Sequence, residues 1–183
     1  MKGYHYIKRG IDIILSGMAI VSLSPLLLFL CIAIKLDTPG PILFKQKRVG
    51  IHRSFFQIYK FRTMRIDTPK DVPTHMLENP EQYITKVGKF LRKTSLDELP
   101  QIFNIFKGEM SIVGPRPALW NQDDLVAERE KYGANDVTPG LTGWAQINGR
   151  DELEIPDKAR LDGEYVKHLG PWMDLKCFLG TIG

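Results

Sequence analysis

The chain has 183 residues, with 25 lysines and arginines against 21 aspartates and glutamates and a formal net charge of +4. Its two cysteines, Cys31 and Cys177, exclude a disulfide framework, and His5, His52, His75 and His168 lack the paired spacing of a zinc site. The basic excess gathers between Lys35 and Lys60, which suits anionic headgroups and phosphate-bearing substrates; no nucleic-acid module accompanies it, so nucleic acid is not an expected partner.

Ile13 to Ile34 is a run of 22 residues without a formal charge, and about 20 suffice to cross a hydrocarbon core. Ser22, Ser24 and Pro25 interrupt it, and a proline removes a backbone donor and clashes with the carbonyl one turn back. Lys2, Lys8 and Arg9 precede the run, and Lys35, Lys45, Lys47 and Arg48 follow it, so both flanks carry the charge that marks a cytoplasmic side. This predicts a re-entrant helix-break-helix with its break at Ser24-Pro25; a kinked single-pass anchor, tolerated when serines satisfy the freed carbonyl, is the alternative. A signal peptide is not expected, because no small-residue cleavage site follows. The division is therefore 1–37, a membrane hairpin with basic flanks, and 38–183, one compact cytoplasmic domain.

Thr38-Pro39-Gly40-Pro41 cannot continue a helix and reads as a hinge. Ile42–Gln46 and Ser54–Phe61 are aromatic and β-branched runs around Val49-Gly50-Ile51-His52, the pattern of a short β-hairpin. Asp67 to Glu81, with three prolines among polar residues, reads as an exposed loop and a candidate lid. Short helices are predicted over Val87–Arg92 and Gln101–Lys107, the latter closed by Gly108. Asp123–Tyr132 reads as a surface helix with a solvated charged face, and Leu161–Leu169 and Met173–Ile182 as amphipathic helices, packed on the core or lying on the membrane interface. The fold class is α+β, mainly helical.

Three clusters carry candidate chemistry. In Ser95-Leu96-Asp97-Glu98-Leu99-Pro100, two carboxylates adjoin a helix start. Ser95 and Glu98 have capping-box spacing, Leu99 and Pro100 an alternative cap register, and Arg92 and Lys93 supply the cations that a working carboxylate pair needs. In Gly114-Pro115-Arg116-Pro117, the prolines hold Arg116 on a stiff strut, suited either to phosphate or to a buried carboxylate that fastens the loop. Thr138 to Arg150 mixes glycines, which let backbone amides approach a ligand, with Gln146 and Arg150; it matches neither a P-loop nor a dinucleotide fingerprint.

Lys8-Arg9 with Asp12, the broken apolar run, Tyr59-Lys60-Phe61-Arg62-Thr63-Met64, Ser95 to Gln101, Gly114 to Pro117 and Pro139 to Arg150, in this order over nearly the whole chain, resemble the bacterial sugar transferases, and within them the small monotopic phosphoglycosyl transferases. The resemblance implies transfer of a sugar 1-phosphate from a UDP-sugar to undecaprenyl phosphate, with release of UMP, at the cytoplasmic face of the bacterial inner membrane. It implies Asp97 as the nucleophile that forms a covalent phosphosugar, Glu98 as its catalytic neighbour, and Mg²⁺ held by Asp97 and the diphosphate. It assigns Lys60, Arg92, Arg116 and Arg150 to phosphate charge and leaves Gln146 between an amide contact to uracil or sugar and a structural hydrogen bond. Asp12, Lys8 and Arg9 are implied to anchor membrane depth. The phospholipid bilayer and downstream glycosyl transferases are the implied partners. A silent adaptor or a transferase moving only the sugar would be separated from this reading by the nucleotide released, none or UDP instead of UMP.

Overall fold

The computed structural model describes residues 2–69, 76–149 and 152–182. The chain forms two compact units: a terminal unit of Met1–Ser16, Lys47–Phe56 and Asn104–Gly183, and a central unit of Gly17–Gln46 and Gln57–Phe103.

The first element, α1, is a helix of 36 residues over Lys2–Asp37 with Pro25 inside it; at 1.5 Å per residue it is about 54 Å long. It is the one helix among the described residues long and apolar enough to cross a membrane. The break expected at Ser24-Pro25 does not interrupt the helix. Pro25 has no N–H for the carbonyl of Val21, and the Ser24 hydroxyl donates to that oxygen instead, at 2.8 Å. One lost backbone bond is thereby replaced locally, and helical geometry continues.

Strands β1 (Leu43–Val49) and β2 (Phe55–Phe61) pair as the expected hairpin, whose tip, Lys47–Phe56, is assigned to the terminal unit and whose remainder is assigned to the central one. Gly50 N–H donates to the Ser54 carbonyl at 2.7 Å, and the turn Ile51–Arg53 closes through positive φ at His52 and Arg53. Helix α2 (Lys86–Thr94) follows, its first turn capped by Thr85, whose hydroxyl accepts from Gly88 N–H at 2.9 Å. Leu30 and Ile34 of α1, Phe61 of β2 and Leu91 of α2 form the buried core, so one stripe of the apolar helix packs on protein while Val21, Leu28 and Phe29 stay exposed. Of the candidate lid, residues 70–75 lie outside the described residues; its far side holds the short turn Pro80–Tyr83.

The terminal unit contains a feature the sequence reading missed. Strands β3 (Ser111–Val113) and β4 (Gly140–Thr142) pair in parallel, Ser111 opposite Gly140 and Val113 opposite Thr142. Three-residue strands are too short to show an alternating pattern. Their loops meet backbone to backbone: a Cβ on Gly140 would lie 2.1 Å from the Gly114 nitrogen, and one on Gly143 2.1 Å from the Gly114 oxygen. These glycines therefore serve chain-to-chain packing, a correction to their reading as a ligand cradle. Four helices complete the unit, α4 (Asp123–Glu130), α5 (Trp144–Ile147), α6 (Ile155–Lys167) and α7 (Pro171–Ile182), with Val113, Tyr165, Met173 and Cys177 in the core.

The solvated face expected for α4 needs a correction. Arg129 is buried and pairs with Asp162 of α6 at 2.7 Å, with side-chain exposures of 6% and 1%. An eight-residue helix of mixed charge gives no periodic signal that one arginine points inward. Helix α7 divides its surface: Met173 and Cys177 are buried, while Trp172, Leu175, Phe178, Leu179 and Ile182 are exposed, so core packing uses one stripe and leaves an apolar remainder.

The amino-terminal part of α1 is fastened to this unit by polar contacts. Asp174 of α7 accepts hydrogen bonds from Tyr4 (2.6 Å), Lys8 (2.5 Å) and Tyr165 (2.7 Å). Arg9 donates to the carbonyls of Ile105 and Phe106, and buried Asp12 accepts from Ile112 N–H at 3.1 Å.

Candidate active site

The Asp97 segment is a tight link between two helices. Helix α2 ends at Thr94; Ser95 adopts a left-handed conformation (φ 56°), Leu96–Glu98 makes one 3₁₀ turn, and α3 (Gln101–Lys107) begins after Pro100. The capping box is not formed. A capping serine needs extended angles, whereas Ser95 is left-handed, makes no side-chain cap bond, and sends its own N–H back to the Arg92 carbonyl. The alternative register is nearer the structure: Ile102 N–H bonds to the Leu99 carbonyl and Phe103 N–H to that of Pro100. Glu98 is thereby released from helix duty.

Lys60 of β2 takes its place as partner, with Nζ 2.8 Å from Glu98 Oε1 and side-chain exposures of 19% and 25%. Asp97 is half-buried, and burial pushes its carboxyl above the usual aspartate range. Lys60 and Arg92 pull it back down, while the Glu98 charge adds to the rise. Arg92 is held in turn: its Nε donates to the Thr63 hydroxyl at 2.9 Å, and burial lowers its guanidinium from the ordinary value against the pull of Asp97 and Glu81.

Gly88 makes this arrangement possible. It lies one turn before Arg92 on the same face of α2, and a Cβ there would come within 2.0 Å of the Thr63 carbonyl oxygen. Thr85 N–H bonds to that same oxygen at 3.0 Å. The close approach of α2 to the end of β2 therefore presents Arg92 to the Asp97 turn. Gly88 and Thr63 were missed by the sequence reading; a glycine within a predicted helix was the available signal.

The structure thus gathers Asp97, Glu98, Lys60 and Arg92 within the central unit. Arg116 and Gln146 belong to the terminal unit, and Arg150 lies outside the described residues. Arg129, which pairs with Asp162, also donates to the Arg116 carbonyl at 3.0 Å and so holds the backbone of that loop. Gln146 donates through Nε2 to the Leu141 carbonyl at 3.1 Å, the structural bond left open for it.

Chemically, the central unit offers a partly desolvated carboxylate, an adjacent carboxylate tied to a lysine, and an arginine preset by hydrogen bonding. Such a set attracts phosphate and supplies an oxygen nucleophile. Among the described residues no cluster of three or more histidine, cysteine, aspartate or glutamate side chains could hold a metal ion. One free carboxylate with substrate phosphate oxygens is nevertheless a donor set that Mg²⁺ accepts, since it keeps waters and seldom uses an all-protein cage.

A sequence profile described as "Bacterial sugar transferase" matches residues 3–183. The UDP-glucose:undecaprenyl-phosphate glucose-1-phosphate transferase of Escherichia coli is 40% identical over 96% of the chain and 39% of its own length. An undecaprenyl-phosphate N-acetylgalactosaminephosphotransferase of Aeromonas hydrophila, acting with UDP-N-acetylgalactosamine by its name, is 38% identical over 98% of the chain and 43% of its own length. An uncharacterized sugar transferase of Bacillus subtilis is 39% identical, and there the match covers 96% of the chain and 85% of the relative. The chain therefore spans well under half the length of some relatives and most of another.

Proposed function

The chain belongs to the bacterial sugar transferase family, and on that premise we propose that it transfers a sugar 1-phosphate from a UDP-sugar to undecaprenyl phosphate with release of UMP, the first membrane step of glycoconjugate assembly. The observation that carries this reading is the meeting of Asp97, Glu98, Lys60 and Arg92 in one unit, with Asp97 raised by burial and steadied by two cations.

Asp97 acts as nucleophile. A carboxylate oxygen attacks the β-phosphorus, the bond to the bridging oxygen breaks, and UMP leaves with that oxygen and its electron pair. An oxygen of undecaprenyl phosphate then attacks the same phosphorus and expels the carboxylate. Partial loss of water strengthens Asp97 for the first displacement, and the carboxylate lets one difficult transfer proceed as two. Arg92, fixed by Thr63, meets phosphate charge. Lys60 exchanges between Glu98 and phosphate, and Glu98 orients it. On the family resemblance, Arg116, Gln146 and Arg150 are assigned to substrate contacts. Mg²⁺ held by Asp97 with the diphosphate oxygens supplies charge screening when bound.

The membrane placement is part of this reading. In this reading α1 stays helical through Pro25 but bends there once in the bilayer, so that both its ends and residues 38–183 lie at the cytoplasmic face. Exposure of Met18, Val21, Leu28 and Phe29 around the proline, with basic residues at both flanks, supports it. Reporters fused at Met1 and Gly183 then both signal from the cytoplasm, and a periplasmic Met1 overturns it.

The test is a panel of UDP-sugars incubated with undecaprenyl phosphate and the chain in detergent or nanodiscs. UMP appears with one sugar, requires Mg²⁺, and vanishes in Asp97→Asn. Release of UDP, or equal UMP from Asp97→Asn, defeats the mechanism.

A further inference from the structure

The turn that leaves the apolar helix is wrapped around a buried cation. Arg62 follows β2 and is 5% exposed. Its Nη1 donates to the Pro39 carbonyl at 2.6 Å and its Nη2 to the Thr38 carbonyl at 2.7 Å, while its Nε is buried without a partner. Gly40 has φ +125°, and a Cβ there would lie 2.9 Å from Nη1, so the chain bends closely around the guanidinium. Arg62 N–H bonds to the Ile42 carbonyl at 2.9 Å, completing the attachment. The predicted hinge is therefore pinned.

Burying a guanidinium against neutral carbonyls, with one donor unanswered, is a costly way to fasten a loop. What it provides is direction. The core of Leu30, Ile34, Phe61 and Leu91 attracts without fixing the register of α1, because apolar contact is non-directional. The planar fork of Arg62 fixes the end of α1 against a segment whose neighbours are site residues: Lys60 bonds Glu98 and Thr63 holds Arg92. A second directional tie runs parallel, since Asp37 at the end of α1 accepts from Val87 N–H of α2 at 3.0 Å.

We propose that Arg62 is a positioning residue that sets the height of the Asp97 turn relative to the end of the membrane helix, and so governs transfer to the lipid acceptor more than reaction with the soluble donor. This rests on the phosphoglycosyl transfer proposed above, whose two halves make different demands. The UDP-sugar diffuses to the site at any height, whereas the lipid phosphate is confined to the headgroup layer. Lysine at 62 keeps the charge and loses the fork.

The experiment compares the parent with Arg62→Lys and Gly40→Ala in nanodiscs. Exchange of labelled UMP into UDP-sugar reads the first half-reaction, and product formed with undecaprenyl phosphate reads the whole. Exchange stays within about twofold of the parent while lipid transfer falls about tenfold or more, a loss of roughly 1.4 kcal/mol in that reaction. Gly40→Ala, which disturbs the same clamp from the other side, shows the same split. Equal losses in both half-reactions, or no loss in either, overturn the proposal. Hydrogen exchange over residues 37–42 and 61–63 supplies a readout apart from turnover: it accelerates in Arg62→Lys, and unchanged exchange overturns the pin even in a protein without transferase activity. A parent that exchanges no UMP with any UDP-sugar refutes the proposed reaction, a result distinct from failure of the pin.

Discussion

Lys60 and Glu98, 38 residues apart in sequence, meet at 2.8 Å, and this contact ties the strand β2 to the turn that carries Asp97. The same lysine lowers the Asp97 carboxyl that Glu98 raises. One ion pair therefore acts on its neighbour with two opposed signs.

That opposition is measurable in the pH dependence of the first half-reaction. Activity through ionised Asp97 falls as pH drops through its raised value. Lys60→Met removes a lowering influence and moves this acid limb to higher pH. Glu98→Gln removes a raising influence and moves it to lower pH. Rate profiles of UMP exchange for both variants check the signs, and movement in the same direction contradicts the assignment.

Asp97→Asn abolishes exchange, lowering it by about 10³-fold or more, on the scale of nucleophile deletions. It also stabilises the fold at neutral pH. Because burial raises the folded-state value above that of the unfolded chain, Asp97 favours the folded protein below the ordinary aspartate value of 3.8, and that contribution is lost as pH rises through the raised value. Asparagine carries no such dependence. Melting temperatures should show the variant above the parent at pH 7, with the gap narrowing in acid.

Gly88→Ala drives a methyl group into the Thr63 carbonyl, where only 2.0 Å is available to a Cβ. The strain is expected to cost about 1–3 kcal/mol, as overpacking does, and to withdraw Arg92 from Thr63. Denaturant melts read the first effect, and a raised KM for UDP-sugar the second. Alanine tolerated on both measures would refute the close approach.

Arg129→Met leaves Asp162 charged and buried without its partner, an expected loss of about 3–5 kcal/mol. The double variant Arg129→Met, Asp162→Leu should recover most of it, because no unpaired charge remains. A double-mutant cycle by chemical denaturation measures the coupling, and additive losses count against it.

The parts legible in the sequence share a physical character. The apolar run, the hairpin, α2 and α3 show through local pattern; the bounds of the hairpin strands, α2 and α3 lie close to the predicted ones, while α1 begins 11 residues before the apolar run at Ile13. The partners of the basic helix start lie far along the chain and show in no local pattern: Lys8 meets Asp174, Arg9 the Ile105 carbonyl and Asp12 the Ile112 N–H. The errors fall where one local pattern admits two structures. Ser95 to Glu98 has the spacing of a cap, yet a left-handed Ser95 spends the segment on a turn instead. Gly140 and Gly143 have the composition of a ligand cradle, yet each packs against the Gly114 backbone. Ser24-Pro25 should end a helix, and a serine hydroxyl keeps it going.

Sequence by itself determined the long apolar helix, the two carboxylates side by side and the basic residues available to them, because charge, apolar length and adjacency are properties of the chain. Only the tertiary structure decided which cation reaches which carboxylate, that Thr63 holds Arg92, that Arg129 is buried with Asp162, and that Arg62 grips the turn after α1. These choices depend on close approach between segments distant in the chain, and packing at that distance leaves no periodic trace in the residues that make it.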